Sequence, residues 1–265
     1  MAGVYVPADI YARYLRVKGK EVAFICGSDE HGVAISIKAK KEKKSPKQII
    51  DYYDQLIRDS FVSFGITFDN YSRTSRSIHH KTAQEIFTNL HQKGVFEENE
   101  SEQLFDPEAQ QFLADRFVQG TCPICQNTEA YGDQCESCGS TLNVDELINP
   151  KSTISGNKPI LKKTKHWFLP MAKHEQWLTK WIDEGVINDC KYHDAKTWKT
   201  QVLGQCKSWI SSGLKSRAIT RDLDWGVKVP IKDSEGKVLY VWFDAPIGYI
   251  SVSYTHLTLP TNREV

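Results

Sequence analysis

The chain carries almost no net charge: 34 lysines and arginines stand against 33 aspartates and glutamates over 265 residues. A strong whole-molecule field for nucleic acid is therefore excluded, although a local basic patch is not. Long apolar runs are lacking too, since none nears the ~20 residues of a bilayer span, so no membrane partner is expected. The opening MAGVYVPADIYARYL mixes acid and base into its apolar pattern and lacks the build of a signal peptide. No internal repeat is present. These absences predict an intracellular, cytoplasmic protein. With 40% hydrophobic and 25% charged residues, the composition is that of a globular chain. Its length allows one large domain or two smaller ones.

Helical spacing over residues 2–17 puts Val4, Ala8, Tyr11 and Leu15 on one face, and Lys18-Gly19-Lys20 closes the segment. EVAFICG then reads as a short buried strand. Further helices are expected near residues 33–43 and 47–64, the second opened by Ser45-Pro46 and ended by Gly65, and over 78–93, ended by Gly94. Helices alternating with buried strands predict an α/β fold with a parallel sheet. Residues 95–160 are turn-rich. The aromatic stretches KHWFLPMAKHEQWLTKWI and KTQVLGQCKSWISSGL look helical, and alternation returns at KVLYVWFDAPIGYI. The simplest reading is an α/β domain interrupted by an insertion and then resumed.

Within the turn-rich part, CPICQNTEAYGDQCESCG sets Cys122, Cys125, Cys135 and Cys138 in two C-x-x-C pairs, nine residues apart. Two redox pairs or disulfides are one reading. In an intracellular chain a tetrahedral zinc is the better one, because each C-x-x-C turn aims two thiolates at one point. Four protein ligands leave no open position, which makes such a zinc structural. Gly139 suits the tight turn after the second pair, and Gln126 holds the matching place after the first. A nucleic-acid-binding ribbon would add a basic stripe, yet no lysine or arginine lies between Cys122 and Cys138. Cys26, Cys190 and Cys206 are expected as free thiols, Cys26 buried at its strand end.

The stretch CGSDEHG, Cys26 to Gly32, follows the buried strand and packs two acids, an imidazole and two glycines into seven residues. Metal binding, acid–base chemistry, clamping of a cationic substrate group and an ordinary solvated loop all remain open on these residues alone.

CGSDEHG, the doubled C-x-x-C knuckle, QCKSWISSGLKSRAITRDLDWG and LYVWFDAPIGYIS stand in the order and spacing of bacterial methionyl-tRNA synthetases, which the chain resembles from residue 2 to about 251. The resemblance implies a class I synthetase fold: a Rossmann-like parallel sheet split by a zinc-bearing connective insertion. It divides the chain into 1–94 (first part of the catalytic domain), 95–215 (insertion), 216–251 (start of the second half) and 252–265 (an unrelated tail). It implies activation of methionine by Mg-bound ATP to methionyl-adenylate, then transfer to methionine tRNA. Asp29 is expected at the methionine ammonium, which suits a carboxylate held at a strand's C-terminal end. Trp242, Ala245, Pro246, Ile247 and Tyr249 are expected to line the side-chain pocket, where aromatic rings can hold a thioether. Arg221 is expected near Asp29 and the reaction centre.

In that family a His-Ile-Gly-His-type segment precedes the helix that starts here at Ala2-Gly3. A Lys-Met-Ser-Lys-Ser-type loop and a helical anticodon-binding domain follow the stretch that is present. The resemblance thus predicts a fragment without autonomous catalysis, since phosphate stabilisation usually dominates such chemistry. An inert fragment or a zinc-ribbon RNA contact is the alternative. Oligomeric state is left open.

Overall fold

In the computed structural model, residues 2–113, 115–142 and 144–253 are described. Helix α1 (Tyr5–Val17) forms where expected, but its buried face is rotated. It buries Asp9 and Ala12, while Val4 and Tyr11 are 67% and 62% exposed. Asp9 tolerates burial because Arg13 Nε donates to it at 2.6 Å and the Thr67 backbone N–H at 3.3 Å. Arg13 also donates to the Gly65 carbonyl at 2.7 Å, so a satisfied polar group outranks the apolar stripe.

Strand β1 (Ile25–Ser28) leads through the Asp29 loop into α2 (Val33–Glu42). A second helix, α3 (Pro46–Ser63), returns the chain to β2 (Asn70–Arg73), which pairs with β1 in parallel from Ile25↔Asn70 to Ser28↔Arg73. The Ser45 hydroxyl and the Gln48 side chain form a reciprocal capping box, with Pro46 in the first turn of α3. The predicted start at Ser45-Pro46 therefore has a physical cause. Helix α4 (Ser77–Gln92) closes this half.

The chain then turns antiparallel. Strand β3 (Glu97–Asp106) is followed by the short β4 (Gln111–Phe112), β5 (Val118–Thr121), β6 (Ala130–Tyr131), β7 (Ile148–Ser152) and β8 (Ile160–Leu169). Residues 165–169, expected to be helical, instead belong to β8, which pairs with β3 from Glu97↔Phe168 to Phe105↔Ile160. The cause is cross-strand: Glu100 faces Lys165 and Glu102 faces Lys163, opposite charges that favour the ladder. Trp167 is 1% exposed beneath it. Only the later part of that stretch is helical, as α5 (Glu175–Glu184).

A small hairpin of β9 (Val186–Ile187) and β10 (Cys190–Lys191) leads to α6 (Thr200–Ser211), as expected for QVLGQCKSWIS. The chain ends in β11 (Arg217–Ala218), β12 (Thr220–Asp222), β13 (Lys237–Leu239), α7 (Val241–Asp244) and α8 (Ile247–Ser253). Alternation in KVLYVWFDAPIGYI is thus one short strand followed by two short helices. Val252 and Ser253, placed in the tail, close α8; residues 254–265 of the tail lie outside the described residues.

Among the described residues, β1–β2 is the one parallel pair, and every other ladder is antiparallel. The expected parallel sheet is present only as that pair, because hairpin connections dominate after α4. Two buried clusters hold the molecule. One joins Phe117, Val118 and Leu142 around the cysteine knuckle to Val33, Leu223 and Val238. The other packs Phe87, Trp167, Leu239 and Ile247 together. No described helix is long and apolar enough to cross a membrane.

Candidate active site and metal centre

The two C-x-x-C turns have the same backbone. Gln126 N–H donates to the Cys122 carbonyl at 3.0 Å, and Gly139 N–H donates to the Cys135 carbonyl at 2.8 Å. Both residues have left-handed φ, 62° and 72°, which glycine adopts freely and glutamine at some cost. The turns converge their thiols: Cys122 and Cys138 sulfurs lie 3.9 Å apart, Cys125 and Cys135 sulfurs 3.5 Å apart. All four donor atoms fall within 4.8 Å of one another. Zinc–sulfur bonds of about 2.3 Å at tetrahedral angles put sulfurs ~3.8 Å apart, so the donor set fits zinc. The Cys138 backbone N–H and then the Asn127 amide help hold the Cys135 thiol down to about 6, and the Ser140 hydroxyl lowers Cys138, while, against the Asn127 backbone N–H, burial and the neighbouring thiols push Cys125 up to about 11. Thiolates are the form a metal needs. Of the other cysteines, Cys26 and Cys206 are half-buried and Cys190 is exposed, all with free thiols. Cys26 was expected to be buried, but its strand lies at the wall of an open cavity.

That cavity, of about 490 Å³, opens at the C-terminal ends of β1 and β2. Asp29 sits beside Ser28 on one side; Ser72, Arg73 and Thr74 continue it, and Trp242, Ala245, Pro246 and Tyr249 come from the α7–α8 corner. Five of the residues singled out by resemblance therefore meet at one place although they are distant in sequence. Trp242 and Tyr249 are 73% and 72% exposed, so they form the rim of the cavity and not part of the core. The lining is mainly apolar, with Asp29 as its carboxylate. Loss of surrounding water raises the Asp29 pKa from the ordinary aspartate value, the His31 N–H pulls it down and the charge of Asp244 adds to the rise. No lysine or arginine pairs with Asp29 among the described residues, and its carboxylate accepts from the His31 backbone N–H at 3.4 Å. Asp29 is exposed at the cavity mouth, and a carboxylate without a cationic partner there is a place for an ammonium group.

Two expected residues lie elsewhere. Ile247 is 6% exposed and packs into the Phe87–Trp167 cluster; at the start of α8 its side chain turns inward while Tyr249 turns out. Ile247→Val should lower stability by about 0.5–1.5 kcal/mol through loss of one buried methyl, read as a denaturation midpoint. A larger change in ligand affinity than in stability would return Ile247 to the cavity. Arg221 does not line the cavity. Its guanidinium donates to the Ala218 and Thr220 carbonyls, both at 2.9 Å, and lies 3.8 Å over the Tyr240 ring.

The rest of the CGSDEHG loop is built into the interior. Glu30 accepts from Ser28 at 2.8 Å and Arg73 at 2.7 Å, and its carbonyl accepts from Trp225 Nε1 at 2.8 Å. Gly32 has φ 102° and opens α2, a conformation that requires glycine. His31 pairs with Asp244, and His79 approaches the same carboxylate. His79 and Asp244 escaped the sequence reading because nothing local connects them. Tyr5 also lines the cavity and was missed because it lies off the expected face of α1, whereas Ala8, on that face, lines it too.

A four-thiol cluster able to hold a metal and, apart from it, a cavity at the mouth of a parallel strand pair place the chain in the mixed α/β class. A family profile described as "tRNA synthetases class I (M)" matches residues 1–264, and the chain belongs to that family. The "Methionine--tRNA ligase" of Flavobacterium johnsoniae is 66% identical over 251 residues, 95% of this chain and 34% of that protein. The protein of the same name from Cytophaga hutchinsonii is 61% identical over 253 residues, 96% of this chain and 35% of that one. The chain thus spans about a third of the length of these relatives. Among solved structures, Mycobacterium tuberculosis methionyl-tRNA synthetase bound by methionyl-adenylate superposes with a TM-score of 0.64 at 19% identity, covering 94% of this chain and 43% of that one. This likeness shows a class I synthetase fold of mixed α/β type.

Proposed function

We propose that this chain is the catalytic-domain portion of a methionine–tRNA ligase. The observation that carries the reading is the cavity that sets the Asp29 carboxylate opposite an apolar and aromatic rim. It offers one carboxylate and one apolar wall to a ligand that has an ammonium at one end and an unbranched thioether at the other. The relatives' name supports the same substrate. In this reading β1 and β2 belong to a Rossmann-like sheet over residues 1–94, residues 95–215 form the zinc-bearing insertion, and 216–251 begin the second half.

Asp29 binds the ammonium and so orients the substrate carboxylate, which attacks the α-phosphate of Mg-ATP and expels pyrophosphate. A ribose hydroxyl of methionine tRNA then attacks the resulting mixed anhydride, and AMP leaves. Trp242, Ala245, Pro246 and Tyr249 hold the side chain and exclude water. A Tyr249 hydroxyl can also donate weakly to sulfur. Arg221 is assigned near the reacting phosphate; its guanidinium rests on Tyr240, next to α7. Zinc, when bound to the four cysteines, supplies no reaction step and holds the knuckle against α2.

The test is ATP–pyrophosphate exchange by a synthetase of full family length that carries residues 1–251 of this sequence. Exchange should depend on methionine and fall sharply with leucine. Exchange indifferent to methionine, or equal with leucine, rejects the reading.

A further inference from the structure

Behind the cavity wall that carries Asp29, one carboxylate joins three separate pieces of the chain. Asp244 ends α7, two residues after Trp242. Its Oδ2 accepts from His31 Nδ1 at 2.5 Å, and His31 stands two residues after Asp29. The two side chains are 0% and 2% exposed. His79, in the first turn of α4 and 0% exposed, brings Nε2 to 3.7 Å from the same oxygen. Its Nδ1 lies 3.1 Å from Ser251 Oγ on α8, the helix of Tyr249. The side chains that face the ligand therefore share one buried attachment.

Two imidazoles and a carboxylate with donor atoms within 4.8 Å are also a potential metal set. The geometry decides between a metal and a proton. Ligands at about 2.0–2.1 Å from one tetrahedral zinc stand ~3.3 Å apart, whereas His31 and Asp244 approach to 2.5 Å. That distance belongs to a charge-assisted hydrogen bond. Burial works to raise the Asp244 pKa, but the hydrogen bond from His31 and the nearby His79 ring outweigh it and lower it. Through Oδ2 the carboxylate is partnered inside the protein. A third imidazole, His80, has its ring 5.2 Å from that of His31. Burial first, then His31 and His79, pushes its pKa down to about 4, so it adds no charge near neutral pH.

We propose that His31 and Asp244 are positioning residues of the methionine site: their buried hydrogen bond, steadied by His79, fixes the Asp29 loop to the helices carrying Trp242 and Tyr249. The bond sets the span between the ammonium contact and the side-chain wall. Without His31, Asp244 is left as a buried charge lacking its donor, and both walls of the cavity lose their common anchor. The inference rests on the reading of the cavity as a methionine site.

The test uses the full-length enzyme carrying residues 1–251, with His31→Ala, His31→Asn and Asp244→Asn. A hydrogen bond to a buried charge corresponds to roughly 10-fold or more in affinity. His31→Ala should therefore raise the KM for methionine by about that factor, with kcat and the KM for ATP changed less than ~3-fold. Asparagine places an amide N–H close to where Nδ1 stands, so His31→Asn should recover most of the loss. A merely structural role would move both substrates together, and asparagine would not rescue it. Equal rises in both KM values, a fall in kcat alone, or no recovery with asparagine overturns the inference. So does a second equivalent of bound metal, beyond one zinc, that His31→Asn removes. If His31→Ala does not fold, the decision falls to Asp244→Asn, which keeps the size of the side chain: an unchanged KM for methionine overturns the inference, and a rise confined to methionine supports it. An unmodified enzyme without methionine-dependent exchange removes the methionine reading and this inference with it. An active enzyme with indifferent variants removes the inference alone.

Discussion

Cys135→Ser should empty the knuckle of zinc and unfold the segment from β5 to β7. Two sulfur pairs already stand near the separation a tetrahedral zinc imposes, and all four donor atoms lie within 4.8 Å of one another. Apparent binding free energies for structural zinc run to about 10–16 kcal/mol, as large as the whole stability of many domains at about 5–15 kcal/mol. The pairing within this segment is short. Strand β6 has two residues, and β5 pairs with β7 through an irregular register between Gln119 and Thr121. The damage should spread beyond the knuckle, because Cys122 and Cys135 are 0% exposed and pack in one cluster with Val33 of α2, Leu223 and Val238. Elemental analysis of purified protein should give one zinc per chain, lost in Cys135→Ser and kept in Cys206→Ser. Amide exchange in the variant should quicken over residues 118–152 and, more weakly, at the start of α2. A variant that keeps full zinc ends the assignment.

The knuckle was legible because its information is local: spacing, a glycine after one pair and the absence of competing ligands. The start of α3 was legible for the same reason, since Ser45, Pro46 and Gln48 complete a cap among themselves. Strand β8 was not. Its identity comes from β3, whose glutamates meet its lysines only after the hairpin has formed, and a window over residues 165–182 sees aromatic residues at near-helical spacing. Helix α1 was read with the wrong face inward because the ion pair of Asp9 with Arg13, and the reach of Arg13 to Gly65, lie outside any apolar count. Resemblance brought Asp29, Trp242, Ala245, Pro246 and Tyr249 to one cavity. It also carried over Ile247, whose side chain points to the core. Ile247 and Tyr249, two residues apart on a short helix, share a motif but face opposite ways. The link from His31 to Asp244 spans 213 residues, and no periodicity or spacing rule connects positions so far apart.

Asp29→Ala, in a full-length enzyme carrying this sequence, should cut kcat/KM for methionine while leaving the fold intact. Truncating one partner of a desolvated charge pair costs about 2–5 kcal/mol when the other charge stays unpaired, which corresponds to roughly 30-fold to several thousand-fold in rate. Stability should hardly change. The folded protein gives Asp29 one weak contact, the His31 N–H at 3.4 Å, and loses less than a normal hydrogen bond when it goes. Asp29 is exposed at the cavity mouth in the free protein, so its removal leaves no buried partner unsatisfied. Asp29→Asn separates charge from shape, because the amide oxygen can still accept from His31 while the negative charge is gone. If Asp29 meets the ammonium, Asn should behave almost like Ala toward methionine, with the KM for ATP and the thermal midpoint near the parent values. Should Asn restore methionine kinetics, the residue shapes the loop and the ammonium must be held by another group. Kinetics unchanged in both variants would take Asp29 out of the site.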